Sequence, residues 1–443
     1  MSNFRKLSTL AATKNVNYVE ARSVEHLQDV VKTACDLDLK IRTYGSGFSW
    51  NADAISADIV ISLKHLTEVE ILNGFIRVGT GITLGELHKI LESHNLMLKG
   101  VPGTEGVTLG GILANACYSG HPQESSISSY VTEVKIINNR GENQTIGLFH
   151  PMFKSVIVSK GQMGIIYEVV IQVFQLNYFS YQVSYKENIG PVELVKLIKN
   201  IARGDSLQNI LYWPSKSIAH TFGSKVITSS TPRSIIGQFV GRFVGPILLF
   251  YTYLMAPFMI LCDYFNVDNS ITKIILYLML QFVKLCCSFY GKFEYTGSNY
   301  DVNVPYKKSM TKVLHTNKNM PIFSELKACE YSIPVSKFEE FVIGLHKLQL
   351  RSDFHLFFRL TKSIKSEGYM DPISICSEEN NQFVRIEFDQ LKHDLTALYT
   401  LLDNLNAKPS WGKFYPKPTK IVEQTYPQYD LYRKHFVLMN ILY

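Results

Sequence analysis

Tyr44-Gly45-Ser46-Gly47-Phe48-Ser49-Trp50 decides the fold, because two glycines frame a tight loop directly after the apolar-alternating run 37–43. Glycine lets the backbone come close to an anion such as a pyrophosphate and aim its N–H groups at it. One loop of this kind is ordinary turn chemistry between strands. A second glycine-rich element follows about sixty residues on, Pro102-Gly103-Thr104-Glu105-Gly106-Val107-Thr108-Leu109-Gly110-Gly111, with small residues after it at Ala114 and Ala116. Two such loops in one domain point to a long phosphate-bearing cofactor.

Short strands alternate with helices around these loops. Ser23 is placed to cap a helix whose apolar face uses Leu27, Val30, Val31 and Ala34, with Glu25 in the first turn. Segments 58–63 and 74–79 read as strands, Thr83 opens a helix carrying Leu84, Leu87 and Leu91, and 131–137 and 167–174 read as further strands. The pattern is α+β. It is not the doubly wound dinucleotide fold, because no GxGxxG lies between a strand and a helix with an acidic residue about twenty further on.

At 443 residues the chain implies two or three domains, and 46% apolar with 19% charged residues describes a folded protein. The net charge of +7 is spread without a basic run or a stripe of interleaved aromatics, which argues against nucleic-acid binding and leaves a mild attraction to anionic membranes. Seven scattered cysteines without paired ligand spacing give neither a disulfide framework nor a metal site. The first fourteen residues lack an apolar core of signal-peptide length, so secretion is not expected.

The ordered words Gly45 to Trp50, the strand 58–66, Val78-Gly79-Thr80-Gly81, Pro102-Gly103 with Thr108-Leu109-Gly110-Gly111, and Gly161-Gln162-Met163-Gly164-Ile165-Ile166 resemble the L-gulonolactone and D-arabinono-1,4-lactone oxidase family, FAD enzymes of the vanillyl-alcohol-oxidase type. The resemblance implies a two-subdomain FAD-binding domain over 10–176. A substrate or cap domain of α+β type follows over 177–443, with an apolar helical insert at 234–291. It implies that Tyr44, Gly45, Ser46, Gly47, Phe48 and Ser49 wrap the FAD pyrophosphate together with Pro102, Gly103, Thr108, Gly110, Gly111, Tyr118 and Ser119, while Gly164 and Ile166 lie along the cofactor.

In the cap, Cys329-Glu330-Tyr331-Ser332-Ile333-Pro334 followed by a helix over 335–348 looks like the family's cap strand and helix. Phe354-His355-Leu356-Phe357-Phe358-Arg359-Leu360-Thr361 looks like its substrate-side strand. Pro409-Ser410-Trp411-Gly412-Lys413 resembles the family's His-Trp-x-Lys word, and Tyr426-Pro427 falls where the family has Tyr-Pro. Alternation puts Phe357 and Arg359 on one face, where the family carries Glu-x-Arg against substrate hydroxyls. By resemblance Arg359 and Lys413 orient substrate, and Tyr118 or Glu330 handles the hydroxyl proton.

Four polar positions depart from the family. Phe48 stands where many members carry the histidine that links FAD, so FAD is expected to be noncovalent. Phe357 replaces the acid, Cys117-Tyr118-Ser119 stands for Thr-His-Gly, and Ser410 replaces the histidine of His-Trp-x-Lys; nearby His121 reads as a solvated loop residue. Two readings therefore stay open. One is an FAD-dependent oxidoreductase that oxidises a sugar lactone or polyol and passes electrons to oxygen or another acceptor. The other is a catalytically degenerate homologue, with or without flavin, that acts as a membrane-associated binding protein.

The insert contains 243–262, twenty residues without a charge, and a second apolar run, 274–290, that includes Gln281 and Lys284. Arg233, Arg242, Lys284 and Lys292 flank the pair, which suits a hairpin facing the cytosol. Pro246 and Pro257 also suit buried cap helices, and shallow attachment is a third arrangement. The expected location is a membrane-associated intracellular one such as the endoplasmic reticulum, or the cytoplasm if the insert is buried.

Overall fold

The computed structural model describes residues 17–50, 57–176, 178–186, 188–204, 206–227, 274, 278, 295–298, 327–351, 354–364, 367–373, 381–390, 394–417 and 422–438. Apart from Ile274 and Leu278, the apolar insert expected over 234–291 lies outside the described residues. Among the described residues no helix is long and apolar enough to cross a membrane.

A small parallel sheet opens the chain, with Ile59–Ser62 between Asn17–Glu20 and Ile41–Tyr44. All four residues of the central strand are buried, which is why it reads as one apolar run without alternation. The helix Val24–Asp36 packs on this sheet through Leu27, Val31 and Ala34. Its cap is the expected one, with Ser23 Oγ accepting from His26 N at 3.2 Å. Only the second half of the alternating run 37–43 is strand. Asp38 takes a left-handed turn at φ 53° to leave the helix, and pairing begins at Ile41.

Next comes a five-stranded antiparallel sheet in the order Val69–Ile71, Phe75–Gly79, Ile165–Gln172, Val131–Ile137, Asn143–Gly147. The helix Leu84–Ser93 begins in a capping box, in which Thr83 N donates to Glu86 Oε2 at 3.0 Å and Glu86 N to Thr83 Oγ1 at 3.3 Å. Gly79-Thr80-Gly81 clips this sheet to the segment that leaves the first one. Gly79 N donates to Glu68 O at 2.9 Å and Gly81 N to Leu66 O at 3.0 Å. A Cβ on Gly81 would sit 1.7 Å from the Leu63 carbonyl oxygen.

The second half forms an eight-stranded sheet, ordered Tyr295–Ser298, Tyr178–Lys186, Ile218–Ile227, Ser206–Trp213, Leu356–Lys362, Gln382–Gln390, Lys327–Pro334, Lys408–Pro409. Period-two alternation sorts its residues. Leu356, Phe358 and Leu360 with Val384, Ile386 and Phe388 join the core that also holds residues of the helices Pro191–Arg203, Phe338–Leu345 and Thr396–Asn404. Phe358 meets Phe338 edge-on at 5.2 Å. The helix expected over 335–348 is shorter, a 3-10 turn at Val335–Lys337 running into Phe338–Leu345. The α+β reading holds, and the sheet's opposite face, with Phe357, Arg359, Arg385 and Glu387, is the polar one.

Candidate active site

Antiparallel register builds the site as two rows across three strands. In one row Phe357 pairs with Glu387 and Glu387 with Glu330; in the next Arg359 pairs with Arg385 and Arg385 with Ser332. Two further charges come from loops, Lys413 from the turn after Lys408–Pro409 and Asp371 from the segment 367–373. Trp411 fixes that turn: it is buried, donates Nε1–H to Met370 O at 2.6 Å, and stacks on Tyr426 at 4.9 Å. Tyr426 in turn donates to Pro409 O at 3.0 Å.

Exposure separates the charges into a mouth and a floor. At the mouth, Glu387 accepts from Lys413 Nζ through Oε1, and its Oε2 lies 2.8 Å from Arg359 Nη2. These three side chains are 17%, 26% and 31% exposed. Burial alone would raise the Glu387 carboxyl, but Lys413 and then Arg359 outweigh it and hold it at about 2. Burial lowers the Lys413 ammonium, and Glu387 with Glu330 reverses this to a net rise.

The floor is sealed. Glu330 is 2% exposed; it accepts from Tyr118 Oη at 2.8 Å and from Ser410 Oγ. Arg385, fully buried, lies 4.0 Å from Glu330 Oε1 and 3.9 Å from Asp371 Oδ1, with its guanidinium 4.3 Å from the Tyr118 ring centre. Among the described residues none of its three nitrogens has a hydrogen-bond partner. Asp371 accepts from Ser126 Oγ and Ile373 N; burial pushes its carboxyl up to about 6 although Arg385 pulls it down. Tyr118 is held a neutral phenol, since burial and then Glu330 raise it well above the ordinary tyrosine value.

The first half closes over this face through the 117–121 loop. Gly120, at φ 85°, lies so close to Arg359 that a Cβ would be 3.2 Å from Arg359 Cδ. His121, expected in solvent, is instead buried, its backbone N donating to Ser119 Oγ at 3.1 Å and its Nδ1 accepting from Gln123 N at 3.2 Å. The loop sits between the two halves rather than on the surface, a tertiary effect that local sequence does not carry. Ser119 Oγ itself donates to Glu124 Oε2 at 2.8 Å.

The two glycine loops meet. A Cβ on Gly45 would stand 2.2 Å from Thr108 Oγ1, and one on Gly111 3.2 Å from the same atom, whereas one on Gly103 would meet nothing within 4 Å. The N–H groups of Gly45, Ser46 and Gly47 have no backbone acceptor among the described residues. The loop leaves the C-terminal end of the parallel strand Ile41–Tyr44, where ligands of open parallel sheets bind. Close-approach glycines and N–H groups without a backbone acceptor among the described residues fit the pyrophosphate of FAD, with Gly45 to Gly47 and the Gly103 to Gly111 element as the groups that would hold it. Thr80, from the word Val78-Gly79-Thr80-Gly81, joins the pieces: its Oγ1 donates to Ile166 O at 2.7 Å and its carbonyl accepts from Gly110 N at 2.9 Å. Gly164 adopts φ 107° with Ile137 O 3.0 Å from a would-be Cβ. Trp50 N donates to Gly412 O at 2.8 Å, joining the first loop to the turn that carries Lys413.

The structure brings Arg359, Lys413, Glu330 and Tyr118 together. Sequence reading misses Glu387, Arg385 and Asp371, which become neighbours only through strand register.

Residues 17–147 match the family described as FAD binding domain. Among curated proteins, the D-arabinono-1,4-lactone oxidase of Eremothecium gossypii is 26% identical over 165 residues, 35% of this chain and 31% of that protein. That of Saccharomyces cerevisiae is 22% identical over 179 residues, 38% and 34% of the two chains. The L-gulonolactone oxidase of Bos taurus is 21% identical over 251 residues, 55% of each. The chain thus spans between a third and about half the length of these curated relatives. In structure, a solvent-stable cholesterol oxidase superposes with a TM-score of 0.69 at 13% identity, covering 98% of this chain and 97% of that one. The cholesterol oxidase from B. sterolicum gives 0.64 at 12%, covering 96% and 94%. The chain carries an FAD-binding domain and has the two-subdomain flavoprotein fold of the vanillyl-alcohol-oxidase type, and its sequence resemblance is to the aldonolactone oxidases.

Proposed function

We propose that this chain is an FAD-dependent oxidoreductase that removes two hydrogens from a carbinol carbon of a sugar-derived lactone or polyol, with oxygen or another acceptor taking the electrons. The observation that carries the reading is the convergence of Arg359, Glu387 and Lys413 at a partly open mouth, backed by Gly120 of the FAD-binding half. FAD would supply the hydride acceptor. Arg359 and Lys413 orient hydroxyl and carbonyl oxygens by charge-assisted hydrogen bonds. Tyr118, donating to Glu330, offers a relay: as a substrate hydroxyl gives its proton to the phenol oxygen, the phenol proton passes to the Glu330 carboxylate.

FAD is taken to be noncovalent because Phe48 has no nucleophilic nitrogen. The division at 176/177 is the working domain boundary, and membrane attachment through 243–262 rests on the sequence alone. The reading is tested by the visible spectrum before and after acid precipitation, with L-gulono- or D-arabinono-1,4-lactone added anaerobically to the native protein. Acid-released flavin that the lactone bleaches is the expected result. Flavin that stays with the precipitate refutes noncovalent binding. A protein that takes up no FAD on reconstitution sinks the enzyme reading. Bound flavin that no lactone or polyol bleaches favours the turnover-deficient binding protein, the alternative that Phe357 in place of an acid supports.

A further inference from the structure

We propose that Glu387 is the carboxylate that receives the substrate's hydroxyls, and that it selects lactones or polyols with neighbouring hydroxyl groups. This rests on the oxidoreductase reading above and adds to it the group that recognises the substrate. Loss of an acid at Phe357 suggests a site without a carboxylate, yet Phe357 and Glu387 are direct partners across the antiparallel ladder. Side chains so paired have Cβ atoms about 4.5–5.5 Å apart, so a carboxylate on either strand serves the same space beside Arg359.

Two carboxylates approach Arg359, and their surroundings assign them different work. Glu330 is sealed, with Tyr118 on one oxygen and Ser410 on the other. Glu387 is at the mouth, with Lys413 on Oε1 and Arg359 beside Oε2. Its Oε2 is turned inward to Arg359, whose Nη2 lies 2.8 Å away. An ionised carboxylate has about four acceptor positions, so Glu387 keeps acceptor capacity that a diol, with two donors, matches. Lys413 and Arg359 hold the group in the anionic, acceptor-only form, and they stand ready for the oxygens that a lactone adds to its hydroxyls.

The test is calorimetric titration of L-gulono-1,4-lactone into the flavin-loaded full chain, for the native protein, Glu387→Gln and Glu387→Asp, with hydroxyl-free γ-butyrolactone as the comparison ligand. Flavin absorbance and thermal melting are followed alongside. Losing hydrogen bonds to a charged group weakens binding by about 10- to 100-fold, and that is the loss expected for the sugar lactone in Glu387→Gln, with γ-butyrolactone little changed and flavin content native. Glu387→Asp keeps the charge between the two cations but withdraws it by one methylene; it is expected to fold and to bind with intermediate affinity. Adding Phe357→Glu to Glu387→Gln should restore part of the loss. Native binding of the sugar lactone by Glu387→Gln, or by Glu387→Asp should the first variant not fold, overturns the assignment alone. A native protein that binds neither sugar lactone nor polyol overturns the oxidoreductase reading and this assignment with it.

Discussion

Replacing Gly81 with alanine is expected to destabilise the protein by about 3 kcal/mol or more, at or above the upper end for overpacking because the clashing atoms are backbone. A Cβ there would stand 1.7 Å from the Leu63 carbonyl oxygen and 2.5 Å from its carbon, atoms of the backbone that no rotamer change moves aside. The clip also ties Thr80 to Ile166 O, Tyr167 O and Gly110 N, so distortion spreads to both cofactor elements. The variant should melt at lower temperature and be purified with little flavin. Gly103→Ala is the control: nothing lies within 4 Å of the new methyl group, and a change within about 0.5 kcal/mol is expected. Equal melting of the two variants would remove the clip from the account.

Arg385→Met is expected to cost about 3–5 kcal/mol, because removing one member of a buried charge cluster leaves its partners uncompensated. Glu330 and Asp371 would then face each other's side of the floor without a cation between them. The pH dependence has a definite sign. Burial already pushes the Asp371 carboxyl up to about 6, above its ordinary 3.8, with Arg385 pulling it down; without Arg385 it rises further. A folded state that holds a proton the unfolded chain has released loses stability as pH rises from the unfolded value through the folded one. The deficit of Arg385→Met should therefore be larger at pH 8 than at pH 5, and Asp371→Asn in the same chain should recover part of it. Melting curves at the two pH values decide; a deficit that shrinks as pH rises contradicts the arrangement.

Local signals were the legible ones. Ser23 and Thr83 start helices because a cap and its partner lie within one turn of sequence, and the glycine words mark loops whose backbone needs are local too. The face shared by Phe357 and Arg359 follows from strand alternation alone. Glu387 was not legible, since its place opposite Phe357 depends on the register between two strands that no short motif encodes. His121 was misplaced for the related reason that its burial comes from the other half of the chain closing over its loop. Read along one strand, Phe357 leaves the row without an acid; across the ladder the carboxylate of Glu387 stands opposite it.

The bond from Trp50 N to Gly412 O joins positions more than three hundred residues apart in the order of synthesis. With translation at about 5–20 residues per second, the first glycine loop waits tens of seconds for the turn that completes its support. The nascent chain therefore emerges with this loop unsupported, and the contact forms only after residue 412 has been made. Sequence-distant closure of this kind is slow, so the support that Gly412 gives the first glycine loop is among the later contacts to form.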